Sequence, residues 1–195
     1  MITSTIITKN EYDILKKMIG KCFQKFKCDP FIYSPMVYGI VGLYIDNNVY
    51  KLTSLFDNVK RFLANDDVAK FKLECSNDES IKTFMDNGKL INNYVNQTIN
   101  TITVVNDHQS INYEDKVYKF NSTVGIIFKL DDDLEISFEI GTWFSEMITI
   151  KKGYDLLDKF TPIDDFYEEW KDCEGYEPKC TREVVVIGTN QSYLS

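Results

Sequence analysis

The sequence predicts an α+β fold: a mainly antiparallel, twisted sheet with three or four helices packed mostly on one face. Three observations carry this. Between Val117 and Ile150, apolar and polar residues alternate with the period of two that marks half-buried strands. Near the N-terminus, Thr8 and Glu11 form a capping box ahead of apolar residues at helical spacing. Further on, Thr161-Pro162-x-Asp164 reads as an N-cap, a proline at the first helical position and an acid at the helix's positive end.

Taken in order, Leu15, Met18, Ile19, Cys22, Phe23 and Phe26 place a helix from about Lys9 to Phe26, with Lys17, Lys21 and Lys25 in a row on its polar side. Asp29-Pro30 ends it, and Ser34-Pro35 opens an extended segment. Val37 to Ile45 is apolar on both faces and includes Gly39 and Gly42, an interior strand that another backbone approaches closely. Asp46-Asn47-Asn48 turns the chain back into Val49 to Thr53. Ser54 and Asp57, followed by Leu55, Val59, Phe62 and Leu63, predict a short helix ending near Asn65. Val68 to Cys75 alternates as a strand, and a helix from about Asp78 to Asn87 closes at Gly88.

Residues 89–116 are polar and would hold a subdomain boundary if the single 1–195 domain has one. A Thr-rich strand covers 97–105, and Asp107, His108 and Gln109 fall in a loop. Val124 to Leu130 and Leu134 to Ile140 form a hairpin across Asp131-Asp132-Asp133, with Glu135 and Glu139 on its water-facing side. After Gly153 come a turn or short helix, then an aromatic helix with Phe166, Tyr167 and Trp170, and a last strand at Arg182 to Ile187.

At 195 residues the chain can bury a sizeable core, and no apolar run approaches the ~20 residues of a spanning helix. The N-terminus lacks the charged and apolar regions of a secretory signal, so the expectation is a cytoplasmic protein. Five cysteines without metal spacing read as free thiols, with Cys173 and Cys180 able to pair if oxidised.

Net charge is −8 and uneven: residues 105–195 hold nine Lys/Arg against nineteen Asp/Glu, a local net of −10. That composition disfavours direct nucleic-acid or membrane binding and favours a basic partner.

Candidate chemistry is thin. Glu135, Glu139 and Glu146 are the best carboxylate constellation, but residues four apart on a strand lie ~13 Å apart, too far for a direct acid–base pair. Asp131, Asp132, Asp133 and Glu135 have the oxygen chemistry of a Mg²⁺ site, yet three consecutive Asp in a turn read first as solvated turn residues. His108 is the single histidine and follows no nucleophile motif, and no glycine-rich phosphate loop is present. No cofactor and no catalytic residue is assigned.

Gly125-Ile126-Ile127-Phe128, Glu135 to Glu139, Trp143-Phe144-Ser145-Glu146 and Gly153-Tyr154-Asp155 resemble a family of uncharacterised proteins of low-GC Gram-positive bacteria and their mobile elements. The resemblance implies host range and association with phages or conjugative elements, but no functional residue.

The expected function is a non-enzymatic protein-binding inhibitor of the anti-defence or toxin-neutralising type. It would present Asp131, Asp132, Asp133, Glu135, Glu139, Trp143 and Glu146 to a basic partner such as a nuclease or toxin, as a mimic of nucleic-acid phosphates. The alternative is a small carboxylate-based enzyme or ligand-binding domain, with Mg²⁺ in one version, which requires a concave pocket where buried acids converge.

Overall fold

The structure, a computed structural model, describes residues 2–31, 35–83, 88–142 and 145–188. It overturns the α+β expectation: 63% is strand and 15% helical, the sheet is mostly antiparallel, and the described residues hold two α-helices instead of three or four on one face. The elements are β1 (Ile2–Thr5), α1 (Lys9–Met18), β2 (Cys22–Cys28), β3 (Met36–Val37), β4 (Ile40–Ile45), β5 (Asn48–Arg61), β6 (Ala64–Ser76), β7 (Ile91–Tyr113), β8 (Lys116–Leu130), β9 (Glu135–Thr142), β10 (Ser145–Gly153), α2 (Asp164–Trp170) and β11 (Glu177–Gly188).

Strand order is β3-β10-β9-β8-β7-β2-β4-β5-β6, with β1 parallel to β8 and β11 antiparallel to β7. The long β7 carries the chain between two layers. Its first part, to Thr98, pairs with β2, and from Ile99 onward it pairs with β8. The sheet folds over its main apolar core, where Phe26 of β2 meets Phe138 of β9 edge-on at 5.8 Å and Phe23 meets Phe128 of β8 at 5.3 Å; two smaller clusters, around Phe62 and around Phe160, lie apart from it. The layers close at Gly39, where a Cβ would lie 2.6 Å from the Glu146 carbonyl oxygen and 2.7 Å from that of Ser54. Only glycine fits there.

Each misread helix has a physical cause. The capping box does start α1, with Glu11 N–H donating to Thr8 Oγ1 and Thr8 N–H donating to Glu11 Oε2. Glu11 also accepts from the Leu73 amide of β6, which docks the helix on that edge strand. The helix stops at Met18 because Gly20, at φ 75°, turns the chain into β2. A bulge between Phe23 and Lys25 then puts Phe23 and Phe26 on one buried face, three residues apart, which imitates a helical repeat. Lys17, Lys21 and Lys25 therefore do not share a helix face.

The helix expected at 54–65 is the second half of β5, which continues to Arg61 and turns at Phe62-Leu63 into β6. Phe62 takes φ 57° without being glycine, so no turn signal marks the hairpin. Its ring packs on Phe120, Phe166 and Trp170, contacts that hold the unusual backbone in place. Of the helix expected at 78–87, a 3-10 turn at Asp78–Ser80 forms, and 84–87 lie outside the described residues. Asp107, His108 and Gln109 are strand residues of β7, not loop. All five cysteines are free thiols, with Cys173 exposed and Cys180 buried. Among the described residues no helix is long and apolar enough to cross a membrane.

Candidate binding cleft beneath the acidic strap

The outer face of β11, β7, β8 and β9 is not left to water. Pairing registers align Arg182, Asp107 and Ser122 across it, then Cys180, Gln109 and Phe120, and Gly125 with Glu139. Residues 154–176, which include α2, lie over this face as a strap. The Leu156 amide donates to Glu135 Oε2 at 2.7 Å, and the Thr161 amide to Glu139 Oε1 at 2.6 Å. Phe160 fills the notch left by Gly125, where a Cβ would collide with its ring. Tyr167 brackets Cys180, accepting from its amide at 3.1 Å and donating to its carbonyl at 3.3 Å. Arg61, at the β5–β6 tip, forms a two-pronged pair with Glu169 at 2.7 and 2.9 Å.

Glu135 and Glu139 are therefore corrected from a solvent-facing stripe. Glu135 is half-buried, and Glu139 is 4% exposed and paired with Lys151 at 3.2 Å. The alternation of 134–140 is real, but the strap supplies a second covered face that local periodicity cannot show. Asp131, Asp132 and Asp133 do form an exposed turn, in which the Thr98 amide donates to Asp131 and Lys129 pairs with Asp133 at 2.9 Å. Glu146 is exposed on β10, and Trp143 lies outside the described residues. Of the six expected site residues that are described, only Glu139 lines the cleft between strap and sheet.

Between strap and sheet lies a half-enclosed cavity of about 300 Å³. Its polar groups are Asp107, Gln109, Glu139, Asp165, Glu169 and Arg182, set among Val124, Ile163 and Phe166. Arg182 grips Asp107 through Nε at 2.8 Å and Nη2 at 2.9 Å, and this pairing holds the guanidinium above its ordinary pKa. Cys180 is pushed up to about 12, first by burial and then by Asp107, so it remains a protonated thiol at neutral pH.

Gln109 is 2% exposed and its Oε1 has no hydrogen-bond partner. The fully buried hydroxyls of Ser122 and Ser137, on the same face, also lack one. Neither serine lines the cavity, and Ser137 pairs with Ile127, seven residues along β8 from Phe120, the partner of Gln109. Sequence reasoning passed over Asp107 and Gln109 because polar residues at 106–110 resemble a loop. The signal was there in Val105, Asp107, Gln109 and Ile111, which continue the alternation of the preceding strand.

Among the described residues no group of three or more His, Cys, Asp or Glu is arranged to hold a metal ion. His108 lies away from the cleft, with Nδ1 at 3.1 Å from Asn121 and Nε2 at 3.3 Å from Glu183. No known protein family, curated protein or solved structure matches this chain. Function is therefore read from the chemistry of the cleft.

Proposed function

We propose that this protein is a non-enzymatic binding protein whose cleft beneath the strap holds a small organic ligand. The observation that carries the reading is the cavity itself, about 300 Å³ between strap and sheet, walled by Val124, Ile163 and Phe166 and edged by the paired Arg182 and Asp107. That volume is at the lower end of small-molecule sites, and the mixture of apolar wall with a few polar groups is their usual make-up. Binding is favoured over catalysis because Asp107 and Glu139 are engaged in ion pairs and the Cys180 thiol is protonated, which leaves the cleft without an activated nucleophile.

Thermal unfolding in the presence of a library of small organic molecules tests this. Ligands that stabilise the protein should lose their effect in Val124→Phe, which fills the cleft. The variant's own unfolding curve shows whether it has folded. Equal stabilisation of a folded Val124→Phe would place binding elsewhere.

A second reading is favoured by the outside of the strap. Residues 154–176 expose eight carboxylates against two lysines. The acidic surface offered to a basic partner thus moves from the 131–146 ribbon to the strap. Reversing Asp158, Glu168 and Asp172, which do not line the cleft, should abolish salt-sensitive association with a basic protein while ligand binding persists.

A further inference from the structure

Resting on the reading of the acidic face as a surface for a basic partner, we infer that the free edge of β11 takes up an extended segment of that partner as an added strand, with apolar and basic residues alternating along it. β11 pairs with β7 from Glu177 to Gly188 without a bulge, and with no other described strand. In an antiparallel ladder the N–H and C=O of one residue point to the same side, and those of its neighbours to the other. Two observations fix which residues of β11 point outward. Both backbone groups of Cys180 go to the Tyr167 hydroxyl, so they face away from β7. Pro178, two residues earlier, has no N–H to give to a ladder.

The outward set therefore continues at Arg182, Val184 and Val186, whose outward backbone groups meet no hydrogen-bond partner among the described residues. Pro178 and Tyr167 thus close the first half of the edge and leave the second half open. The far edge strand, β6, is blunted by contrast: α1 docks on it through Glu11 and the Leu73 amide, and it carries Lys70 and Lys72.

Side chains along the open half define the occupant. Val184 and Val186, each 42% exposed, lie on the strap side, and Glu183, also exposed, lies on the other. A strand laid beside them is best matched by apolar residues opposite the valines and a cation opposite Glu183. The strap, with eight exposed carboxylates against two lysines, favours the same positive charge. A second copy of the chain is a poor match. Antiparallel self-pairing sets Lys179 opposite Glu183 only when centred on Thr181, which needs the outward groups of Pro178 and Cys180. Self-pairing through the open half sets Glu183 opposite an apolar residue or opposite itself.

The test is amide hydrogen exchange of the full chain, alone and with short acetylated peptides. In the protein alone, the amides of Arg182, Val184 and Val186 should exchange about a hundredfold faster than those of Thr181, Glu183 and Val185, which face β7. A peptide alternating lysine and valine should slow the three outward amides at least about tenfold. Its counterpart alternating glutamate and valine should not, nor should a lysine–valine peptide methylated on every backbone amide. Val184→Pro leaves the β7 ladder intact, as Pro178 does, and should abolish the response; Val184→Lys, which keeps the backbone unchanged, should do the same. Glu183→Gln should weaken the lysine–valine peptide about threefold at low salt.

Outward amides already protected in the protein alone would overturn the proposal: with a doubled sedimentation mass the occupant is a second copy, and without it the chain covers its own edge. An equal response to the methylated or the glutamate peptide would overturn it too. If the lysine–valine peptide leaves the three amides fast while polylysine binds in a manner sensitive to salt and to reversal of Asp158, Glu168 and Asp172, strand addition falls and the acidic face stands. If polylysine does not bind either, the reading of that face falls with it.

Discussion

Glu139 and Arg182, on strands separated by β8 and β7, hold the same residue of the strap from two sides. Glu139 accepts from the Thr161 amide at 2.6 Å, and Arg182 donates to the Thr161 carbonyl at 3.0 Å. Thr161 also lines the cleft, so this grip positions the wall against the sheet. Replacing Glu139 with alanine leaves Lys151 without its carboxylate and the Thr161 amide without an acceptor. Loss of one member of a buried pair costs about 3–5 kcal/mol. Urea unfolding of Glu139→Ala should show a loss of about 3 kcal/mol, whereas Glu146→Ala, at an exposed position, should change stability by less than about 0.5 kcal/mol.

Phe62 combines a left-handed backbone, φ 57°, with a ring that is 3% exposed. Removing the ring costs about 3–5 kcal/mol, and glycine recovers about 1 kcal/mol of backbone strain that alanine retains. Phe62→Gly should therefore be more stable than Phe62→Ala by about 1 kcal/mol in denaturant titrations. At an ordinary strand position the order would be reversed.

The five thiols should separate by reactivity. Cys75 and Cys173 are exposed, while burial pushes Cys28 and Cys180 up to about 12. Iodoacetamide followed by peptide mass mapping should modify Cys75 and Cys173 first, and Cys28 and Cys180 only on unfolding. Early labelling of Cys180 would contradict a thiol that burial keeps protonated.

Acid should weaken the fold in part through Glu183. Its carboxyl is held below the ordinary 4.5, chiefly by the Asn106 amide and further by His108, against an opposing effect of burial. A depressed carboxylate contributes stability that is fully present above its ordinary value and is lost as pH falls through the lower folded value. Stability curves of the wild type and Glu183→Gln should therefore be separated above pH 4.5 and converge in stronger acid, as read from urea midpoints across pH.

The sequence marks strands where alternation is strict, as at 124–140, and marks α1 by a capping box that forms; α2 lies near its expected place but begins at Asp164 after Ile163 with no side-chain cap, so Thr161 is not its N-cap and Pro162 is not its first residue. It misleads where tertiary contacts override local pattern. The bulge in β2 imitates a helix, and the aromatic cluster around Phe62 permits a turn without glycine. The cleft was hidden for a similar reason. Asp107 and Arg182 are 75 residues apart and meet only through the β7–β11 pairing, while the strap buries a face that alternation assigns to water. Glu139 was found from its place on the ribbon, but its environment depends on a segment more than twenty residues away.

The measurement that tests the cleft most directly is amide chemical-shift mapping of the full chain titrated with a small organic molecule that stabilises it against thermal unfolding. Saturable shifts centred on Gln109, Thr161 and Asp165, with the exposed turn at Asp131 to Asp133 unmoved, are the predicted result. Shifts confined to that turn or to the outer carboxylates of the strap, or no saturable shift at all, would contradict a ligand site between strap and sheet.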